Sequence, residues 1–156
     1  MKLKILLKKQ KNAYWAEIKK FWEIIDNEFV PPLSTRGDSV KLKIRDTDKS
    51  EIIVAEENNI LKGIVVYWIY YPPVKTAYLH WLIVKPEFRG RGIGTKLMKK
   101  AISRLKGHGV KIIKLVTYST KVSALNIYYS LGFKLYYTKR NLKGPGIHKV
   151  YLKLNV

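Results

Sequence analysis

Between Val84 and Met98 the chain reads VKPEFRGRGIGTKLM. An apolar strand stops at a proline, a basic turn with glycines at 90, 92 and 94 follows, and an amphipathic segment begins. Glycine lets a backbone turn through left-handed geometry and lie close against something bulky. The first N–H groups of the helix that follows have no partner inside it and point at an anion ahead of them. Arg89, Arg91 and Lys96 bring positive charge to the same place. The chemistry is that of a pyrophosphate cradle, and the question is which molecule carries the pyrophosphate.

Two familiar cradles do not fit. A dinucleotide fingerprint needs G-x-G-x-x-G/A, and counting from Gly90 the third glycine position is Thr95. That fingerprint also opens a first βαβ unit, whereas this run lies past mid-chain. A Walker A loop ends Gly-Lys-Ser/Thr, but here the order is Gly94-Thr95-Lys96-Leu97. The run does match Arg/Gln-x-x-Gly-x-Gly/Ala, with Arg89, Gly92 and Gly94 in the fixed positions. It follows a strand ending Leu82-Ile83-Val84 and precedes a helix predicted over 95–105. In this it resembles the acetyl-CoA motif of the GCN5-related N-acetyltransferases (GNAT). The alternative is a glycine-rich turn with no ligand.

A second segment carries the same resemblance. The family has a short helix reading roughly A-x-x-L-Y-x-x-x-G-F. This chain has Ala124-Leu125-Asn126-Ile127-Tyr128-Tyr129-Ser130-Leu131-Gly132-Phe133, with Tyr128 39 positions after Arg89. The resemblance covers 77–133 specifically, and the flanks agree only in element order.

The reaction implied is acyl transfer from a thioester to an amine. A lysine-type amine has an ordinary pKa of about 10.4, so it must lose a proton before it attacks. The departing thiolate, with a thiol pKa of roughly 8.5 by analogy with cysteine, leaves faster beside a hydrogen donor. The charge that gathers on the carbonyl oxygen calls for backbone N–H groups.

The resemblance assigns these roles residue by residue. Leu82, Ile83 and Val84 offer strand-edge amides and carbonyls to the pantetheine arm, where two neighbouring strands splay apart. An N–H near Val84 polarises the thioester oxygen. Arg89, Gly90, Arg91, Gly92, Ile93, Gly94 and Thr95 hold the pyrophosphate through main-chain N–H groups. Tyr128 stands near the sulfur as general acid, the other reading being a core aromatic beside Tyr129. His80 is the candidate base, since an imidazole changes charge near neutral pH. It lies two residues before Leu82, which by strand alternation puts both on one face; the other reading is a histidine packed against Trp68 or Trp81. Tyr78 occupies a place where some members carry a glutamate. Glu28 is either a lining of the acceptor cleft or an ordinary surface acid. Two departures stand out. Lys121 replaces an asparagine that in many members bonds the cofactor, and it is expected to reach a CoA phosphate instead. Val116 replaces a glutamate common in acetyltransferases of protein N-termini, which argues against that acceptor class.

The elements that must hold these residues read as follows. A strand is predicted over 2–8 and a helix over 13–29, with Trp15, Ile18, Trp22 and Ile25 at helical spacing. Pro31-Pro32 stops that helix, because a proline disfavours α geometry in the residue before it. A short second helix is expected over 34–43. Strands over 51–55 and 60–71 form a hairpin across Glu57-Asn58-Asn59, with a bulge at Gly63. Strands over 77–84 and 110–117 flank the helix over 95–105, which Gly107 and Gly109 end. A helix over 123–131 and a terminal hairpin of 133–139 with 149–154 complete the order. The fold class is α/β (α+β): a mixed, mostly antiparallel sheet of about seven strands with helices on both faces, in the element order of the acetyltransferase fold.

Composition sets the frame. The 156 residues suit one domain, 1–156, with a full core. With no cysteine, disulfides, thiolate metal sites and cysteine nucleophiles are excluded, and acyl transfer must proceed by direct attack in a ternary complex. His80, His108 and His148 lack ligand-type spacing, so no metal is expected. The longest apolar run, 64–71, is too short to span a bilayer, and the N-terminus alternates Lys and apolar residues rather than forming a signal peptide. A cytoplasmic protein with no membrane partner is expected, and a homodimer is compatible with the sequence.

The formal net charge of +20, from 31 Lys and Arg against 11 Asp and Glu, exceeds anything CoA binding requires. It permits nucleic acid or another acidic partner. No basic stripe interleaved with exposed aromatics supports nucleic acid, and the spread of lysines reads mostly as a solubility charge. The reading is an N-acetyltransferase moving an acetyl group from acetyl-CoA to a primary amine, of a small molecule or a protein lysine, whose identity the sequence leaves open. Its rivals are a basic nucleic-acid-binding protein and a CoA-binding domain without turnover. Trp15, Trp22, Phe29 and Leu33 are the candidates to shape an acceptor pocket.

Overall fold

The computed structural model describes residues 1–25, 50–71, 73–141 and 144–156. The helix expected over 34–43 lies outside them, as do Glu28, Phe29, Leu33 and the end of the first helix. The side chain of Trp22 is likewise outside the description.

The elements run β1 (Lys2–Leu6), α1 (Lys8–Ile25), β2 (Ser50–Glu57), β3 (Ile60–Tyr70), β4 (Thr76–Val84), a 3-10 turn (Pro86–Phe88), α2 (Ile93–Gly107), β5 (Ile112–Tyr118), α3 (Val122–Ser130), β6 (Lys134–Lys139) and β7 (Lys149–Asn155). The strands form one seven-stranded sheet in the order β1-β2-β3-β4-β5-β7-β6. Every pairing is antiparallel except β4 with β5. The expected mixed, mostly antiparallel sheet is therefore what the chain builds.

Side-chain alternation splits the core in two. On one face Ile53, Ala55, Val65, Tyr67 and Ile69 pack with Leu97, Met98, Ala101 and Leu105 of α2 and Tyr128 of α3. On the other, Ile52, Val54, Ile64 and Val66 pack with Ile18 of α1.

Helix α1 begins at Lys8, five residues before the expected start at Ala13. Its first turn is Lys-Lys-Gln-Lys, which apolar spacing cannot register. Gln10 nevertheless reaches back to accept the Leu7 backbone N–H at 3.1 Å, one half of a capping box. Lys11 is almost wholly buried, and its Nζ donates to the Ser50 carbonyl at 2.5 Å and to Ser50 Oγ at 2.9 Å. A buried lysine bonded in this way helps seat α1, and no hydrophobic pattern shows it.

The β2–β3 hairpin turns on two residues rather than three. Glu57 pairs with Ile60, and Asn58 and Asn59 take positive φ of 52° and 59°. Two-residue hairpins favour primed turns of this sort, and asparagine tolerates the left-handed region.

Two bulges change which residues face which core. Opposite the Ala55/Glu56 step the register slips, leaving Lys62 as an extra residue beside Gly63. Opposite the Val66/Tyr67 step it slips again: Val66 pairs with Trp81 and Tyr67 with Leu79, so His80 is left over. An extra residue shifts side-chain alternation by one. Ala77 and Leu79 accordingly enter the α2-side core, whereas Trp81 and Ile83 enter the α1-side core.

Candidate active site

The pairing of β4 with β5 runs from Thr76–Ile112 to Leu79–Leu115 and stops there. Strand β4 continues to Val84 and stays paired with β3, while β5 continues to Tyr118 and stays paired with β7. Beyond Leu79 the two strands therefore have no ladder between them, and a gap opens along 80–84. The bulge at His80 sits at the start of this gap. Leu82, Ile83 and Val84 border it, so the edge that they turn toward β5 is not used by the sheet. Their side chains divide between faces: Leu82 and Val84 pack on the α2 side and Ile83 on the α1 side.

The gap leads to the glycine-rich turn. Gly90 and Gly92 have φ of 73° and 72°, and a Cβ at either would meet nothing within 4 Å. Glycine is required there by conformation, and the space beside it is open. Gly92 is the N-cap of α2, no side chain caps the helix, and its first turn holds no acid. The leading amides of α2 are thus left for an external anion. Gly94 meets a different demand: a Cβ there would lie 3.0 Å from Ile127 Cδ1, so α2 and α3 touch at this point. Ile93 is buried in the core and offers only its backbone, whereas Arg91 is exposed, its guanidinium 5.8 Å from the Phe88 ring centroid. Thr95 is half-buried.

Arg89 is also exposed, but its Nε–H donates to the Val84 carbonyl at 2.9 Å. It ties the end of β4 to the turn, so part of its guanidinium is already engaged. Lys121 is exposed at the N-cap of α3, and the backbone N–H of Leu125 donates to its carbonyl at 3.0 Å.

Tyr128 projects from α3 into the α2-side core and is 8% exposed. Its ring lies 5.8 Å from that of Phe133. Burial alone pushes its phenol up to about 12, so it holds its proton throughout the neutral range. The core-aromatic reading describes most of the ring.

His80 does not share a face with Leu82, as strand alternation had implied. It lies on the α1 side, 5.4 Å from the Trp68 ring and 6.3 Å from that of Trp81, and the bulge turns Leu82 to the α2 side. Tyr78 is on the same side, edge-on to Tyr70 at 5.8 Å. The sequence marks Trp68 only as a neighbour of His80. Its indole Nε1 is buried and finds no hydrogen-bond partner among the described residues. An orphaned donor is uncommon in a folded chain and is destabilising by about 1–3 kcal/mol. Trp15, an expected acceptor-pocket residue, packs half-buried against the α1-side core.

The opposite end of the sheet holds a buried polar cluster. Glu51 accepts from Tyr67 Oη at 2.5 Å, from Arg104 Nε at 3.2 Å and Nη2 at 3.1 Å, and lies 3.0 Å from His108 Nε2. The cluster fastens the last turns of α2 to the sheet. Among the described residues no group of three or more histidines, cysteines or acids is placed to hold a metal, and no helix is long and apolar enough to cross a membrane.

Comparison with known proteins supplies the relationship. An 87-residue stretch is 34% identical to an uncharacterized N-acetyltransferase of Archaeoglobus fulgidus, covering 53% of this chain and 59% of that protein. A 74-residue stretch is 34% identical to thialysine N-epsilon-acetyltransferase of Bos taurus, covering 44% of each. The chain thus spans about half the length of these curated relatives. The fold superposes on the crystal structure of an aminoglycoside 6'-N-acetyltransferase complexed with coenzyme A, with a TM-score of 0.77, 15% identity, and 99% of this chain and 97% of that one covered. The sequence profile described as the acetyltransferase (GNAT) family matches residues 18–133. The chain belongs to the GNAT acetyltransferase family.

Proposed function

We propose that this protein is an N-acetyltransferase that moves the acetyl group of acetyl-CoA to a primary amine by direct attack in a ternary complex. The observation that carries this reading is the gap beyond Leu79 and Leu115, which runs from His80 to the uncapped N-terminus of α2. It combines an unpaired strand edge for an amide-bearing chain with an anion site at its end. The structural neighbour with coenzyme A bound and the curated relatives named as N-acetyltransferases support the choice of donor. The single sheet supports one catalytic domain, and we assign it to the cytoplasm.

The edge amides and carbonyls of Leu82 to Val84 hold the donor's amide-bearing arm. The amides from Gly90 to Thr95, with Arg91, neutralise the pyrophosphate, and Arg89 stiffens the turn by its bond to Val84. Lys121 adds charge from the N-terminus of α3. Bound there, acetyl-CoA supplies an activated acyl carbon and a thiolate leaving group. A backbone N–H near Val84 donates to the carbonyl oxygen as negative charge gathers on it. Tyr128 donates to the departing sulfur. His80 takes the amine's proton, directly or through water, from the α1 side of the gap. The chain has no cysteine that could hold the acyl group in between.

Thermal shift with acetyl-CoA and thiol release over an amine panel test the reading. Saturating acetyl-CoA should raise Tm, and at least one amine should release CoA thiol. A Tm unmoved by acetyl-CoA sinks the donor assignment. Stabilisation without turnover on any amine would leave a CoA-binding domain instead.

A further inference from the structure

The lysines that look scattered along the sequence are brought together by the pairing register of the last three strands. Lys114 of β5 stands opposite Lys153 of β7, and Lys153 stands opposite Lys134 of β6. Four residues along β7, Lys149 stands opposite Lys139 of β6. Directly paired residues share a sheet face, so each couple sets like charges side by side, an arrangement that weakens a sheet. Val116, Tyr151 and Tyr137 form the row between them.

Among the described residues these lysines have aromatic rather than acidic neighbours. Lys114 Nζ lies 6.0 Å from the ring centroids of both Tyr78 and Tyr136. Lys153 lies 5.8 Å from Tyr136, and Lys149 lies 5.6 Å from Tyr151. The ion pairs at Glu51, Glu56 and Glu57 lie elsewhere. The sequence accentuates this: residues 88–156 contain 16 lysines and arginines and no aspartate or glutamate. Lysine on an edge strand discourages sheet-to-sheet aggregation, which accounts for Lys134 and Lys139 on β6. It does not account for Lys114, Lys149 and Lys153, which lie on the interior strands β5 and β7.

The position of the ladder suggests its use. Tyr78 pairs with both Trp68 and Lys114, so the ladder continues the α1-side face that carries Trp68 and His80. The anion site at α2 occupies the other side of the sheet. An amine that reaches the gap from the side opposite the donor therefore crosses this face. We propose that the face docks an acidic peptide segment, and that the acceptor amine is borne on that segment; this rests on the acetyltransferase reading above. The lysine trio at Lys153 and the couple at Lys149 are about 13 Å apart along β7, which exceeds a single amino acid and matches about four residues of extended chain. The exocyclic amines of nucleic-acid bases are delocalised into the ring and attack acyl carbons poorly. An acidic peptide combines the required negative charge with an aliphatic, nucleophilic amine.

The test uses two peptides of equal length, each with one lysine amine, flanked by glutamates in one and glutamines in the other. Thiol release should give the glutamate peptide a kcat/KM about tenfold higher at low salt, fading toward parity near 0.5 M salt. The double variant Lys114→Gln/Lys153→Gln should lose most of that preference, keep the wild-type thermal shift with acetyl-CoA, and have an equal or higher Tm. Fluorescence anisotropy with the same peptides reads docking without turnover. Equal use of the two peptides, an undiminished preference in the double variant, or tighter binding of single-stranded oligothymidine than of the glutamate peptide would overturn the proposal. If the glutamate peptide binds selectively but no peptide or amine is acetylated, the docking face stands and the catalytic reading falls.

Discussion

Gly63 of β3 lies so close to β4 that a Cβ there would be 2.9 Å from the Ile83 carbonyl oxygen. The obstacle is backbone, and it belongs to the stretch that borders the gap. Leu97 Cδ1 at 3.1 Å and Val84 Cγ2 at 3.3 Å close off the other directions. Gly63→Ala should therefore push β4 away from β3, lowering stability by about 1–3 kcal/mol. Acetyl-CoA affinity should fall with it, because Val84 is the residue paired with Gly63. Gly90→Ala is the contrast: it meets open space but must hold a φ of 73°, a strain of about 1–2 kcal/mol. Chemical denaturation and acetyl-CoA titration of both variants check this. A Gly63→Ala protein as stable as wild type would mean that β4 yields freely.

Glu51 should contribute to stability against acid. Burial pushes its carboxyl up, but hydrogen bonds from Arg104 and Tyr67, the Arg104 charge and the contact with His108 outweigh this and hold it below the ordinary 4.5. A carboxyl depressed in the fold stabilises at pH above its unfolded pKa, and the stabilisation is lost as pH falls through the folded value. Glu51→Gln should be about 1–3 kcal/mol less stable at pH 7, toward the lower end because Arg104 is partly exposed. As pH falls below 4.5 and through the lowered folded value, the gap between wild type and variant should narrow. Urea melts of both proteins at pH 7, 5 and 3.5 measure it, and a gap independent of pH would remove Glu51 as the titrating group.

The parts legible in the sequence are those written in contiguous residues. The turn Arg89–Gly94 and the helix around Tyr128 each need only local spacing, and element order follows from apolar periodicity. What was not legible depends on strand register. A single extra residue at His80 reverses the alternation assumed from His80 to Leu82, and composition does not announce a bulge inside YLHWLIV. The lysine ladder is hidden in the same way, since Lys114, Lys134 and Lys153 are neighbours only across strands. The early start of α1 was missed because Lys11 is a buried residue of exposed type.

His80 should matter through chemistry rather than through donor binding. It lies one residue beyond the last β4–β5 pair, at the start of the gap and beside Trp68. His80→Gln should lower kcat/KM for the amine about a hundredfold, within the range for a lost proton acceptor, while the thermal shift with acetyl-CoA stays at the wild-type value. If the rate matches wild type, His80 is a packing residue between two tryptophans and the amine is deprotonated by another route.

Tyr128 is set up to donate a hydrogen bond and not to surrender its proton. Burial holds its phenol at about 12, whereas a thiol of the CoA type lies near 8.5, so complete transfer to a formed thiolate is uphill by roughly 3–4 pKa units. A hydrogen bond to developing negative charge is worth about 1.5–3 kcal/mol, so Tyr128→Phe should lower kcat about 10- to 100-fold with little change in KM for acetyl-CoA. Its hydroxyl has no bonding partner among the described residues, so the same variant should be about as stable as wild type at neutral pH. The alkaline side separates this from a packing effect. A phenol raised in the fold contributes stability that is complete below its unfolded value near 10 and is lost as pH climbs through about 12. Wild type should therefore lose more stability than Tyr128→Phe between those values, while its kcat shows no loss from this group between pH 7 and 10. Stopped-flow thiol release and denaturant melts across that range measure both, and an unchanged kcat in Tyr128→Phe would leave the residue in the core alone.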